Sequence, residues 1–295
     1  MHQQECGREP LIETITSLLV HEHARDANRI RRTLAQTIDA AGPSAIAELS
    51  HRLASTGADW GYYGHDPLVR RIHHVLAECV LEHPPVVVGA ENLAAVDGMP
   101  VVLVSNHLSY SDANIIELLL HQAGASALAD RLTVVAGPKV YSNLTRRFSS
   151  LCFGTIKTPQ SSVVATDEAA MDAREVARAA RLTIQIAHER LRNGEALLVF
   201  PEGTRSRTGA MQTFLPAAAR YFDGSPDLQL LPIGLAGTDR LFPINAAAIN
   251  HARIEMRVGR PVSSAQLHVH IGRNRRALMA RIAGLVADLL PEHHR

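Results

Sequence analysis

"VVLVSNHLSYSDANIIELLL", residues 101–120, runs from an apolar strand through a short polar turn into an apolar helix. Its first five residues are β-branched or leucine apart from the last, which suits a strand covered on both faces. The turn carries His107 and, five positions on, Asp112. From Ala113 to Gln122 apolar residues recur at helical spacing. A buried strand feeding a helix through a polar turn is the unit from which α/β proteins are built.

The unit recurs. After Pro84, candidate strands fall at 86–90, 101–105, 132–136, 152–157, 196–200, 228–236 and 253–258, with helical stretches at 113–122, 172–192 and 275–290. This alternation predicts an α/β fold: a layered, mostly parallel or mixed sheet flanked by helices. Residues 11 to about 83 read differently, as helices only. Leu11, Ile15, Leu18 and Leu19, and later Ile30, Leu34 and Ile38, keep helical spacing until Gly42-Pro43 interrupts it. "PLVRRIHHVLAECVLEH" then gives an amphipathic helix whose polar face holds Arg70, Arg71, His73 and His74. That face reads as solvated rather than as a membrane contact. The expected organisation is an N-terminal helical subdomain, 1–83, and an α/β domain, 84–295. Residues 158–173 read as a flexible loop.

Bulk composition narrows the function. The 295 residues allow a substantial core, and a net charge of +1 supplies no global field for nucleic acid. Cys6, Cys79 and Cys152 are too far apart for a metal knuckle and odd in number, which suggests a reducing compartment. The opening "MHQQECGREP" lacks a basic run followed by an apolar core, and no apolar run is long enough to cross a bilayer. A cytoplasmic chain is expected, with transient, peripheral contact with a membrane surface.

A second strand-to-loop junction complements the first. "EALLVFPEGTRSRTG" places Glu202, Gly203, Thr204, Arg205, Ser206 and Arg207 after strand 196–200. Ligands of α/β sheets collect beyond the carboxyl ends of parallel strands. If strands 101–105 and 196–200 are parallel, His107 and the arginine loop share an edge. A third polar stretch, "GPKVYSNLTRR", would bring Lys139, Arg146 and Arg147 there. An imidazole, with an ordinary pKa of about 6.5, is a suitable base for a hydroxyl, and a carboxylate on its other nitrogen fixes the tautomer. The chain has no G-x-S-x-G elbow, so the nucleophile would be the substrate's own hydroxyl. Arginines suit bidentate binding of phosphate. Simpler explanations exist for each part. Asp112 could cap its helix, and Glu202 could pair with Arg205 on the surface for about 0–1 kcal/mol. No H-x-x-E-H or paired cysteines complete a metal set around His107, so no metal is expected.

These residues resemble a known family. "NHLSYSD" is similar to the N-H-x-x-x-x-D block of the glycerolipid acyltransferases, "FPEGTRSR" to their F-P-E-G-T-R-S block, and "LLPIGLAGTD" to a later proline-containing strand. The blocks keep the family's order over roughly residues 100 to 260. The resemblance implies a role in phospholipid biosynthesis, with His107 as general base and Asp112 as its partner. It also implies that Gly203 and Arg205 hold the acceptor phosphate and that Glu202 shapes the loop. Acyl would pass directly from coenzyme A or acyl carrier protein, with no cofactor, to glycerol-3-phosphate or lysophosphatidic acid. The second block departs: "FGTIKTPQ" offers Lys157 and Gln160 where an arginine is usual. "VAGPKVYSNLTRRFS" instead resembles the soluble plastid-type glycerol-3-phosphate enzymes, making Lys139, Arg146 and Arg147 candidates for the phosphate. The acceptor stays open, and thioester hydrolysis or non-catalytic lipid binding are the competing functions.

Overall fold

The computed structural model describes residues 7–16, 24–56, 61–82, 84–141, 143–159, 172–223, 227–244, 249–272 and 274–295. Leu18, Leu19, Cys6, Gln160 and most of the expected 158–173 loop lie outside the described residues. Among the described residues, nine strands form one mixed sheet: β1 (Tyr62–Tyr63), β2 (Val86–Val88), β3 (Val101–Ser105), β4 (Leu132–Ala136), β5 (Gly154–Lys157), β6 (Ala196–Val199), β7 (Gln229–Ala236), β8 (Glu255–Val258) and β9 (Val262–Ser263). Their order is β1-β5-β4-β6-β3-β7-β8-β2, with β9 paired to the start of β7. The five central strands, β5 to β7, are parallel; β1 joins β5, and β8 joins β7, antiparallel.

The longer helices are α1 (Arg8–Thr16), α2 (Ala24–Ser55), α3 (Pro67–Val80), α4 (Asp112–Gln122), α5 (Leu144–Ser150), α6 (Ala173–Arg192) and α7 (Arg275–Ala287). As expected, Gly42-Pro43 interrupts the helix, dividing α2 into two helical segments across a kink. Gly42 sits at φ 82, ψ 169, a left-handed backbone that favours glycine, and Pro43 begins the second segment. Asp66 caps α3 by accepting from the backbone N–H of Leu68 and Val69.

Period-2 alternation explains the continuous apolar strands. Val101 and Leu103 of β3, Ala196 and Leu198 of β6, and Leu231, Ile233 and Leu235 of β7 face one cluster, shared with α1 to α4. Val102 and Val104, and Leu197 and Val199, face a second cluster, shared with α6, α7 and a 3-10 turn at Pro216–Phe222. Both faces of the central strands are therefore covered, giving three layers. Helices α1 to α3, expected as a subdomain, contribute to the same apolar cluster as the sheet, and β1 belongs to the sheet itself.

The polar face of α3 is not the solvated surface expected. Arg71 is exposed, but Arg70, His73 and His74 pack on the body of the molecule. His73 lies 5.7 Å from the Phe148 ring, and burial pushes its pKa down to about 4. The cause is geometric: the two α3 faces are both covered, by α2 on one side and by α4 and α5 on the other.

Strand order also locates a switch point. The chain leaving β3 passes into α4 on one face of the sheet, whereas the chain leaving β6 passes to Pro216–Phe222 on the other. β3 and β6 are adjacent, paired Val102 to Leu197, Leu103 to Leu198 and Val104 to Val199. Their loops diverge from a topological switch point, the place where α/β sheets leave room for ligands.

Candidate active site

His107 and Asp112 meet at this switch point. His107 Nδ1 lies 2.8 Å from Asp112 Oδ2, and the same oxygen accepts the backbone N–H of Leu108 at 2.7 Å and of Ser109 at 2.9 Å. The capping explanation for Asp112 fails on these partners. A cap accepts from the turn ahead of it, whereas Asp112 reaches back to residues before its helix. Ser111 occupies the cap position and forms no side-chain cap bond. Asp112 is fully buried, and its Oδ2 is occupied as an acceptor, so Nδ1 of His107 carries the proton and Nε2 presents a lone pair. The His107 ring stacks on Phe200 with centroids 4.4 Å apart and is 19% exposed.

Glu202 braces the two loops. Its Oε1 accepts the backbone N–H of His107 at 2.7 Å and its Oε2 that of Gln212 at 3.0 Å. It is 4% exposed, and burial raises its pKa to about 7 against the lowering effect of those two bonds. This carboxylate is therefore no surface partner of Arg205. Ser206 returns a further link, donating its backbone N–H to the His107 carbonyl at 2.8 Å. Gly203 turns the loop at φ 71, and its N–H donates to the Phe200 carbonyl at 3.1 Å. That bond commits the N–H to the turn, and the left-handed backbone accounts for glycine at this position. Thr204 is half-buried beside it.

The cationic residues converge on Tyr110. The Arg205 guanidinium lies 3.5 Å from the centroid of that ring and the Arg146 guanidinium 4.0 Å from it. Burial lowers the pKa of Arg205, Tyr110 acts to raise it, and the neighbouring Arg146 lowers it further. Arg205 Nη1 is buried without a hydrogen-bond partner. Two like charges are thus held together in partial burial, an arrangement whose repulsion a bound anion would relieve. The three candidates after β4 separate. Arg146 joins Arg205 and is anchored by donating to the Lys139 carbonyl at 2.9 Å. Lys139 is exposed. Arg147 acts electrostatically on Tyr63 rather than on Tyr110. Lys157, at the end of β5, is buried against the rings of Tyr63 and Tyr141.

Sequence reasoning missed three contributors. Asn106 is buried and pairs twice with the Leu235 backbone, donating at 2.9 Å and accepting at 2.9 Å, which locks the end of β3 to β7. Phe200 and Tyr110 supply the aromatic surfaces under the base and the arginines. A polar residue ending an otherwise apolar strand was the available signal for Asn106.

Fold and site together define an α/β protein with a histidine–carboxylate pair and an arginine pair at one sheet edge. A family model described as Acyltransferase matches residues 85–235, more than half of the chain, and the chain belongs to that family. It is 25% identical over 211 residues to the chloroplastic 1-acyl-sn-glycerol-3-phosphate acyltransferase LPAT1 of Arabidopsis thaliana, covering 69% of this chain and 52% of the relative. The chain thus spans about half the length of that relative. The crystal structure of the 1-acyl-sn-glycerophosphate (LPA) acyltransferase PlsC from Thermotoga maritima shares the fold, with a TM-score of 0.51 and 17% identity over 75% of this chain and 76% of that one. The family and fold expected from the sequence are borne out.

Proposed function

We propose that this protein transfers a fatty acyl group from a coenzyme A or acyl-carrier-protein thioester to a hydroxyl of a phosphorylated glycerol. Lysophosphatidic acid is the acceptor we favour, supported by the name of the Arabidopsis relative. The observation that carries the reading is the adjacency of the His107–Asp112 pair to Arg205 and Arg146 over Tyr110.

In this reaction the arginines hold the phosphate and so bring the acceptor hydroxyl to His107. Nε2 of His107 takes the hydroxyl proton as the oxygen attacks the thioester carbonyl. Asp112 stabilises the imidazolium that forms. Collapse of the tetrahedral intermediate breaks the C–S bond, and the imidazolium returns its proton to the departing thiolate. No covalent acyl-enzyme is required. Glu202 and Asn106 act as positioning residues, since each bonds backbone of the reacting loops rather than a substrate.

No helix among the described residues is long and apolar enough to cross a membrane. We propose a cytoplasmic protein that attaches peripherally to the bilayer from which a greasy acceptor is drawn. Sedimentation with anionic vesicles at low but not high salt supports this, and no sedimentation at any salt overturns it.

The test of the reaction is thiol release from acyl-CoA and acyl-ACP across an acceptor panel: lysophosphatidic acid, glycerol-3-phosphate, other lysophospholipids and an amino alcohol. Acyl ester formed on a phosphorylated glycerol supports the proposal. Free fatty acid as sole product, with every acceptor present, assigns the site to hydrolysis instead.

A further inference from the structure

A second cluster of chemistry-bearing side chains lies between α3 and α4, away from His107. His74 comes from α3, and Glu117 and His121 from α4, one helical turn apart and so on one face. His74 Nε2 is 2.8 Å from Glu117 Oε2, and His121 Nε2 is 3.1 Å from Glu117 Oε1 and 3.5 Å from Asp130 Oδ1. One ligand atom from each of His74, Glu117 and His121 lies within 4.8 Å of the others. We propose that this is a zinc site, with both imidazole Nε2 atoms and the Glu117 carboxylate as ligands and Asp130 or water in the fourth position.

Four observations carry it. First, the spacing fits. Zinc bonds of about 2.0–2.2 Å in a tetrahedron set neighbouring ligand atoms about 3.3–3.5 Å apart, so small side-chain rotations admit the ion. Second, one pair of the atoms is crowded without a hydrogen bond. Glu117 Oε1 and His121 Nε2 are both buried and 3.1 Å apart, and neither has a hydrogen-bond partner, although Oε1 is ion-paired to Arg70 and Oε2 is bonded to His74. Glu117 itself is fully buried. Third, the charges leave room for a cation. With neutral imidazoles, Glu117 and Asp130 outweigh Arg70, the arginine that lies 3.2 Å from Glu117 Oε1 and 2.7 Å from Asp130 Oδ1. Arg70 then serves as the outer partner that orients both carboxylates, as ligating carboxylates require. Fourth, there is an entry path: the His74 and His121 side chains are 28% and 23% exposed, and Asp130 borders solvent.

The ion would tie α3 to α4, the helix that begins at Asp112. Its role is structural and independent of the proposed reaction. Ligand His121 is nine residues, about 13 Å along the helix, from the carboxylate that orients His107.

The experiment uses the full chain, stripped with chelator and titrated with zinc chloride by calorimetry, with competition against a chromophoric chelator. One equivalent bound at micromolar Kd or tighter is expected, with a rise of a few degrees in Tm at saturation. Cobalt(II) should give the intense visible bands of a four-coordinate site. His74→Gln and His121→Gln should each weaken zinc by about 10- to 100-fold, whereas His107→Gln leaves it unchanged. Should either variant misfold, imidazole nitrogen NMR of the wild type reads the same point: zinc must shift His74 and His121 among the 16 histidines. No stoichiometric binding at 100-fold excess over protein, affinity undiminished in the variants, or shifts at other histidines would each overturn the assignment.

Discussion

Helix α4 carries two histidine-bonded carboxylates, one at its start and one at its middle, and the two sit in contrasting company. Asp112, at its start, receives two backbone N–H groups and one imidazole on a single oxygen. No arginine is ion-paired to it among the described residues, and its histidine stands partly exposed at the switch point. Glu117, five residues on, is bonded to His74 and flanked by His121 and Arg70. The chemical pair is similar; the neighbours decide its use. In the reaction we propose, backbone donors fix Asp112 while its histidine exchanges a proton with the substrate. At Glu117 the carboxylate is shared among several cationic or basic groups, and its task is to hold two helices together.

This contrast can be broken at several points. The largest expected effect is at the first pair. His107→Ala should lower acyl transfer by about 10²- to 10⁴-fold while leaving the unfolding midpoint nearly unchanged, as read by thiol release and urea melts. Glu117→Gln should do the reverse. In chelator-treated protein it should cost about 3 kcal/mol in urea unfolding, because Arg70 loses a buried partner, with turnover little altered below the transition. If Glu117→Gln abolishes turnover in folded protein, the two carboxylates of α4 are not separable.

A third prediction contrasts pH responses. Glu202, raised to about 7 from 4.5, binds its proton more tightly in the folded chain than in the unfolded one. The folded state therefore loses stability as pH rises from about 4.5 to 7, by roughly 3 kcal/mol in all. His73, lowered to about 4 from 6.5, has the opposite sign: its contribution is full above 6.5 and lost as pH falls towards 4. Glu202→Gln removes the first slope only. The stability difference, wild type minus variant, should therefore fall between pH 5 and pH 8; a constant difference would show that Glu202 does not titrate there. The smallest effect belongs to Tyr110→Leu, which removes the ring beneath two guanidinium groups. At about 0.5–1 kcal/mol, it should raise KM for a phosphorylated acceptor about 2- to 5-fold without changing KM for the thioester.

Much of this was legible in residues 101–120 and 195–209, because strands covered on both faces read as unbroken apolar runs and the polar residues that follow mark the functional edge. The placement of His107 beside the Glu202–Arg205 loop needed only the parallel pairing of β3 with β6. What stayed hidden depends on contacts that no local pattern encodes. Two-residue strands such as Tyr62–Tyr63 and Val262–Ser263 have no periodicity to detect. Arg70, His73 and His74 look like a wet helix face until α4 and α5 cover them. Adjacent Arg146 and Arg147 are equivalent as letters, and only the geometry of α5 turns one to Tyr110.

One residue, His107, has both of its main-chain groups tied to the opposite loop: its N–H to Glu202 and its carbonyl to Ser206. The proposed general base and the loop bearing Arg205 are in effect riveted together and must shift as one piece. Altering acceptor preference by reshaping that loop would drag the base out of alignment. Arg146, by contrast, rides on a short helix of its own, and redesign of the proposed head-group selectivity should begin there.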